Sequence, residues 1–336
     1  MKPSVNVAFW LSCAFIGLAS RTEGATETPP TYQALRPVSG NIEVWGSPGD
    51  AELLKRWEDG FKGVQPGVHF TEKMRGPDST MAGVYTGVAQ IAFLSREIWP
   101  VETMAYEWVY RLKPTGIQVM TAGLNNDRVS ASLVVVVNKS NPVRQLSITQ
   151  LDAIFGAEHR RSTRNLRAWG EAGATGAWAR RPIHVYGPSV DSAPAYYFDQ
   201  AVLKNSRKWN CDLKEFGDER DPKLASVVEA VAHDPGGVGY AVMRDLTPGV
   251  RTLALAGIDG SAAVAPTDAT VRSREYPLSR PLSLYFYRKP GEPLDAKLDE
   301  FLRFILSKQG QQAVMQDGAY QPLTPAMVAA QRARLD

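Results

Sequence analysis

The chain has 336 residues, 44% of them hydrophobic and 22% charged, which argues against a disordered chain or a fibre and suits two domains of ordinary size. Thirty-eight basic residues face 35 acidic ones, and a formal charge of +3 is too balanced to argue for nucleic acid or an anionic membrane surface as partner. Any basic site has to be local.

Lys2 precedes an apolar run over residues 5–19, the size of a signal-peptide core and short for a membrane span. Small residues follow at Ala19 and Ala25, so residues 1–25 read as a leader and the mature protein as periplasmic or secreted. Its removal leaves Cys211 as the single cysteine, read as a half-buried apolar filler. Residues 26–40, with Pro29, Pro30 and Pro37, read as an extended linker.

Asn41-Ile42-Glu43-Val44-Trp45 alternates as a strand does and breaks at Gly46-Ser47-Pro48-Gly49-Asp50. Leu53, Leu54, Trp57 and Phe61 then fall at helical spacing, with Asp50 as cap. Residues 67–73 form a second strand. Gly76-Pro77-Asp78 turns into Ser79 and Thr80, two hydroxyls placed to start a helix. Residues 90–94 read as a buried strand ending at Ser95-Arg96, and 101–112 as an aromatic-rich helix. Strands alternating with helices predict a parallel sheet covered on both faces.

Two more strands are expected at 116–124 and 132–138, with a crossing into a second lobe at Asn125-Asn126-Asp127 between them. Beyond them come a helix at 148–155 and a polar stretch at 156–179, whose Arg160, Arg161, Arg164 and Arg167 read as a solvated loop. A strand stops at Gly187, and a helix follows over 194–203. A further helix at 222–233 leads through Asp234-Pro235-Gly236-Gly237 into a buried strand at 238–242. The chain then returns, with a strand at 282–287 and helices at 294–306 and 308–316. The expected division is 41–124 with 250–336 as one lobe and 125–249 as the other, giving two crossing strands as a hinge and a cleft between the lobes.

The chemistry is chiefly that of anion binding. Three strand-to-helix junctions, at 46–50, 74–97 and 187–192, each offer amides and hydroxyls, and Arg96 adds a guanidinium. Four histidines without a paired spacing argue against a metal centre, and no phosphate-loop motif occurs. Gly187-Pro188-Ser189-Val190-Asp191 sits where a nucleophile elbow would, with His233 downstream, but Asp191 replaces the final glycine that the strained turn requires. The expectation is no enzyme and no cofactor.

The order of features resembles the periplasmic phosphate-binding proteins of ABC uptake transporters, from residue 41 to 325. It is carried by 76–80 leading to Ser95-Arg96, by Pro235-Gly236-Gly237-Val238-Gly239-Tyr240, and by Tyr276-Pro277-Leu278-Ser279-Arg280-Pro281-Leu282 followed by Ser307-Lys308-Gln309-Gly310-Gln311. The resemblance implies an α/β, two-lobed type II binding protein, with two mixed sheets flanked by helices. Such a protein is a monomer that closes on a small inorganic oxyanion and presents it to the permease subunits in the membrane. Carried over by position, the ligand contacts are Ser47, Pro48, Gly49, Ser79, Thr80, Ser95, Arg96 and Ser192. Departures from the family pattern fall at Pro48, Asp78, Pro188 and Ala193-Pro194; the added carboxylate and the missing guanidinium both oppose a dianion. The other reading left open is a ligand-free scaffold that acts through protein contacts as a sensor or accessory subunit.

Overall fold

The computed structural model describes residues 28–126 and 130–336; the leader at 1–25 and Asp127 of the crossing turn lie outside the described residues. The first lobe opens with β1 (Ser39–Gly46), α1 (Ala51–Lys62), β2 (Gly67–Met74), α2 (Pro77–Tyr85), β3 (Ile91–Leu94), α3 (Pro100–Tyr110) and β4 (Thr115–Ala122). The chain crosses and builds β5 (Leu133–Asn138), β6 (Gln145–Ser147), α4 (Ile148–Phe155), β7 (His184–Pro188), α5 (Ala193–Ala201), β8 (Lys214–Phe216), α6 (Leu224–His233), β9 (Gly237–Val242), β10 (Val250–Thr252), β11 (Ala254–Ala256) and α7 (Asp268–Ser273). It returns for β12 (Pro281–Phe286), α8 (Ala296–Ile305), α9 (Lys308–Asp317), β13 (Tyr320–Pro322) and α10 (Pro325–Arg332).

Two mixed sheets result, in the orders β13-β4-β12-β3-β1-β2 and β10-β5-β9-β7-β8. The parallel pairing expected from strand-helix alternation at the start of the chain holds for β1, β2 and β3, and the mixed sheets that the family resemblance implies are found in both lobes. In the first, β12 arrives from the other lobe and inserts antiparallel between β3 and β4. In the second, β5 runs antiparallel to β9 and β10. The apolar run Val134 to Val137 is fully buried in the second core, where Phe198 stacks on Tyr240 with centroids 4.0 Å apart. Trp57, Phe61, Phe93 and Phe301 fill the first.

Three expectations are corrected. The return crossing comes at Ser279–Pro281 and not at 250: β10 pairs with β5, β11 pairs with β6, and Val271, Tyr276 and Leu278 pack in the second core. The linker is a docked strap. Its Tyr32 is buried, and Glu300 of α8 accepts hydrogen bonds from the Tyr32 hydroxyl at 2.8 Å and from the Leu35 and Arg36 amides at 3.0 Å each, while Ser39 and Gly40 already belong to β1. Cys211 is exposed, because it sits at the apex of a turn in which Asn210 accepts from the Asp212 amide. The arginines of 156–179 anchor that loop: Arg161 donates to the Ala201 and Val202 carbonyls at the end of α5, and Arg160 to those of Lys204 and Asn205.

The two crossing segments are stitched together at Ser132, whose hydroxyl donates to the Ala122 carbonyl at 2.7 Å and accepts from the Arg280 amide at 3.1 Å. Arg280 is 1% exposed and its guanidinium grips both oxygens of Glu97, just past β3. A short, doubly bonded hinge of this kind fixes where the lobes pivot and leaves a cleft above it.

Candidate functional site

That cleft is a chamber of about 510 Å³ with walls from both lobes. The first lobe contributes Pro77, Asp78, Arg96 and Trp99; the second contributes Ala131, Leu133, Ala193, Pro194, Leu224 and Val242. The starts of α2 and α5 therefore face the same space. Each opens with a proline in its first two positions, a residue favoured there because it needs no amide partner. The consequence is a shortage of donors. In α2, Pro77 has no N–H and the Ser79 amide turns back to Gly76, so Asp78 holds the first-turn amide that is left. In α5, Ala193 and Ala195 carry amide hydrogens and Pro194 does not.

The positive charge is concentrated at Arg96, which is 5% exposed and follows β3 by two residues. Its terminal nitrogens are held by both oxygens of Glu102 at 2.9 Å, by the Glu97 carbonyl at 2.8 Å and by the Pro77 carbonyl at 3.2 Å. Nε is different: it is buried and has no hydrogen-bond partner. A buried guanidinium N–H with no acceptor from the protein is an unsatisfied donor, here on a residue that lines the cleft. Asp78, 87% exposed, stands 3.6 Å from the same guanidinium.

Of the eight residues predicted as contacts, Arg96 lines the chamber and the other seven do not. Ser79 and Thr80 lie in the first turn of α2 behind Pro77 and Asp78, and both hydroxyls donate to the Gly76 carbonyl. They are not caps; the cap position is Gly76, whose φ of 111° a side chain would resist. Ser192 is fully buried at the start of α5 and its hydroxyl donates to Ser189 at 2.6 Å. Ser47 follows β1 in a buried position with a hydroxyl that lacks a partner, and Pro48 and Gly49 continue into the single turn before α1. Ser95 is buried against Asp50, where the Tyr320 hydroxyl also donates. Burial pushes the Asp50 carboxyl up to about 6, with those two hydroxyls and the Ser47 backbone pulling the other way.

Arg220, Arg244 and Arg280 also line the chamber and were not singled out as contacts. Arg244 had a readable signal. It follows the buried strand β9 by two residues, as Arg96 follows β3, and its guanidinium donates to the Asn126 carbonyl at the crossing. Trp99 had no signal beyond being aromatic. His233, the base a nucleophile elbow would need, bonds through Nδ1 to the Glu229 carbonyl of its own helix. Among the described residues no cluster of His, Cys, Asp and Glu could hold a metal ion.

Residues 31–309 match the PBP superfamily domain. The chain is 34% identical over 318 residues to the phosphate-binding protein PstS of Pseudomonas aeruginosa, a match covering 94% of this chain and 93% of that one. Protein SphX of Synechococcus elongatus is 28% identical over 182 residues, covering 53% of this chain and 50% of the relative. Two solved structures share the fold: PstS from Borrelia burgdorferi, with a TM-score of 0.56 at 15% identity over 85% of this chain and all of that one, and an ABC-type phosphate transport receptor from Vibrio cholerae, with 0.53 at 19% identity over 83% and 99%. With a sequence match running nearly end to end in both proteins, the chain belongs to the PstS family of periplasmic phosphate-binding proteins, on a two-lobed type II scaffold.

Proposed function

We propose that the protein is the solute-binding component of an ABC uptake transporter, and that it holds a phosphate group in the interlobe cleft and hands it to the membrane permease. The observation that carries the assignment of the site is the buried, unpartnered Nε–H of Arg96 on the cleft wall. Around it, Arg220 and Arg244 add positive charge from the second lobe, and the first-turn amides of α2 and α5 complete the donor set. Several charge-assisted hydrogen bonds of roughly 1.5 to 3 kcal/mol each reach the 8 kcal/mol or so that a micromolar ligand needs.

The Pseudomonas aeruginosa relative is a phosphate-binding protein and the Vibrio cholerae neighbour an ABC-type phosphate transport receptor, which supports the same reading. The proposal assigns binding without catalysis, and a monomer as the working unit. Calorimetric titration of the mature chain with phosphate is the test, alongside Arg96→Ala. Binding in the parent that disappears in the variant is expected. No heat of binding to any phosphate compound at millimolar concentration would overturn the assignment and favour a scaffold acting through protein contacts.

A further inference from the structure

Trp99 borders two hollows. Next to the chamber around Arg96 lies a second one of about 570 Å³, which shares Trp99 and Glu219 with the first; Pro100, Val101 and Tyr196 line it together with the charged Asp191, Asp218 and Arg207. Trp99 belongs to the first lobe and Tyr196 to α5 of the second. Their rings meet edge to face with centroids 6.3 Å apart, so the aromatic pair spans the cleft. A cation stands over each ring, Arg96 at 4.5 Å from the Trp99 centroid and Arg207 at 5.4 Å from that of Tyr196. The Trp99 Nε1–H is buried without an acceptor, the second orphaned donor on this wall beside Arg96 Nε.

A free tetrahedral ion would leave most of this unused. It also asks for donors on all four oxygens, whereas both helix starts facing the chamber lose an amide to proline and the hydroxyls of Ser79, Thr80 and Ser192 are turned onto backbone carbonyls. On the second lobe the charged side chains Arg220 and Arg244 share the wall with Ala131, Leu133, Leu224 and Val242, an apolar stretch whose side chains have no hydrogen bond to offer. An ester oxygen needs no strong donor, and its organic substituent gains from apolar and aromatic walls.

We infer that the cleft takes a phosphate monoester, with the phosphoryl group beside Arg96 and the organic group against Trp99, Val101 and Tyr196 in the adjoining hollow. This rests on the reading of the cleft as a phosphate site and adds what the phosphate is attached to. Adjoining chambers of about this size fall in the range of sites for small organic molecules.

Phenyl phosphate and inorganic phosphate, titrated separately into the mature chain by calorimetry, test it. Phenyl phosphate should bind roughly tenfold or more tightly, the gain expected from burying even part of an aromatic ring. Val101→Ser, a neutral change that takes away an apolar contact, should weaken that preference and leave the affinity for inorganic phosphate unchanged. Val101 is 64% exposed in the first turn of α3, where serine is tolerated, so the variant keeps its fold, checked by its thermal midpoint. Equal or tighter binding of inorganic phosphate overturns the inference, as does a preference undiminished in Val101→Ser. Failure of both compounds to bind instead removes the phosphate site itself, and the inference with it.

Discussion

Arg96 is bound internally before any ligand arrives. Glu102 on α3 holds it through two bonds of 2.9 Å and also accepts from the Trp99 amide at 2.8 Å, so one carboxylate positions both the guanidinium and the indole of the cleft wall. Removing the arginine has two effects. Arg96→Ala should abolish phosphate binding, and it should also lower unfolding free energy by about 3 to 5 kcal/mol, because Glu102 is left buried without its counter-charge. Urea unfolding followed by tryptophan fluorescence measures the second effect independently of the first. Glu102→Gln has the opposite sign for the ligand: with the internal negative charge gone, affinity for a phosphate anion should rise by about 1 kcal/mol or more in titration calorimetry.

Asp50 gives a prediction in pH. Its folded-state carboxyl is raised to about 6, above the ordinary value of 3.8, because burial penalises the charge. The folded protein therefore holds this proton more tightly than the unfolded chain does. The stabilisation it brings is fully present below pH 4 and is lost as pH climbs through 6. Asp50→Asn keeps an oxygen for the Tyr320 hydroxyl and removes the titration. Its stability relative to the parent should grow by about 3 kcal/mol between pH 4 and pH 8, read from denaturant midpoints at each pH. Glu58 is raised in the same direction by its own burial, so the difference between variant and parent is the quantity to compare. At this scale, Arg96 was legible as a basic residue closing a buried strand. The direction of the hydroxyls was not legible, because a serine or threonine in a first helical turn reads the same whether it faces the cleft or turns back on a carbonyl three or four residues earlier, as Ser79 and Thr80 do.

At the level of elements, the longer runs were readable and the short ones were not. Val134 to Val137 announces a strand buried on both faces, and Leu224, Val227, Val228 and Val231 announce α6. The strands β10 and β11 have three residues each, too few to show alternation, and their absence from the sequence reading is why the return crossing was placed at 250. The strap was missed for a different reason. A proline-rich polar stretch reads as a linker, while what ties it down is a buried carboxylate more than 260 positions away. Glu300 is fully buried, and the three donors it receives from the strap are its compensation for leaving water. Tyr32→Phe deletes one of them and also the acceptor of the Gln65 side chain at 3.2 Å. The expected loss is about 1 to 3 kcal/mol in urea unfolding, with phosphate affinity unchanged because the strap lies away from the cleft.

For the whole molecule, the hinge is the element that converts binding into motion. Ser132, buried at the crossing, bonds to both segments, and Tyr197 of α5 donates to the Ser279 carbonyl at 2.7 Å beside it. Closure about these contacts brings the starts of α2 and α5 together, and a ligand bridging them shifts the lobes toward the closed state by its extra contacts there. Small-angle scattering should show a smaller radius of gyration with saturating ligand than without. The same titration of Arg96→Ala should show no change.

The position of β12 has a bearing on how the chain is assembled in time. It sits between β3 and β4, so the first sheet stays split into two pieces until residues 281–286 have been made and threaded in. The second lobe is contiguous in the chain and has every strand of its sheet by residue 252. A nascent polypeptide emerging from its amino end can thus finish the later lobe before the earlier one, and a product cut short near residue 250 would leave the edges of β3 and β4 bare and prone to pairing with other chains.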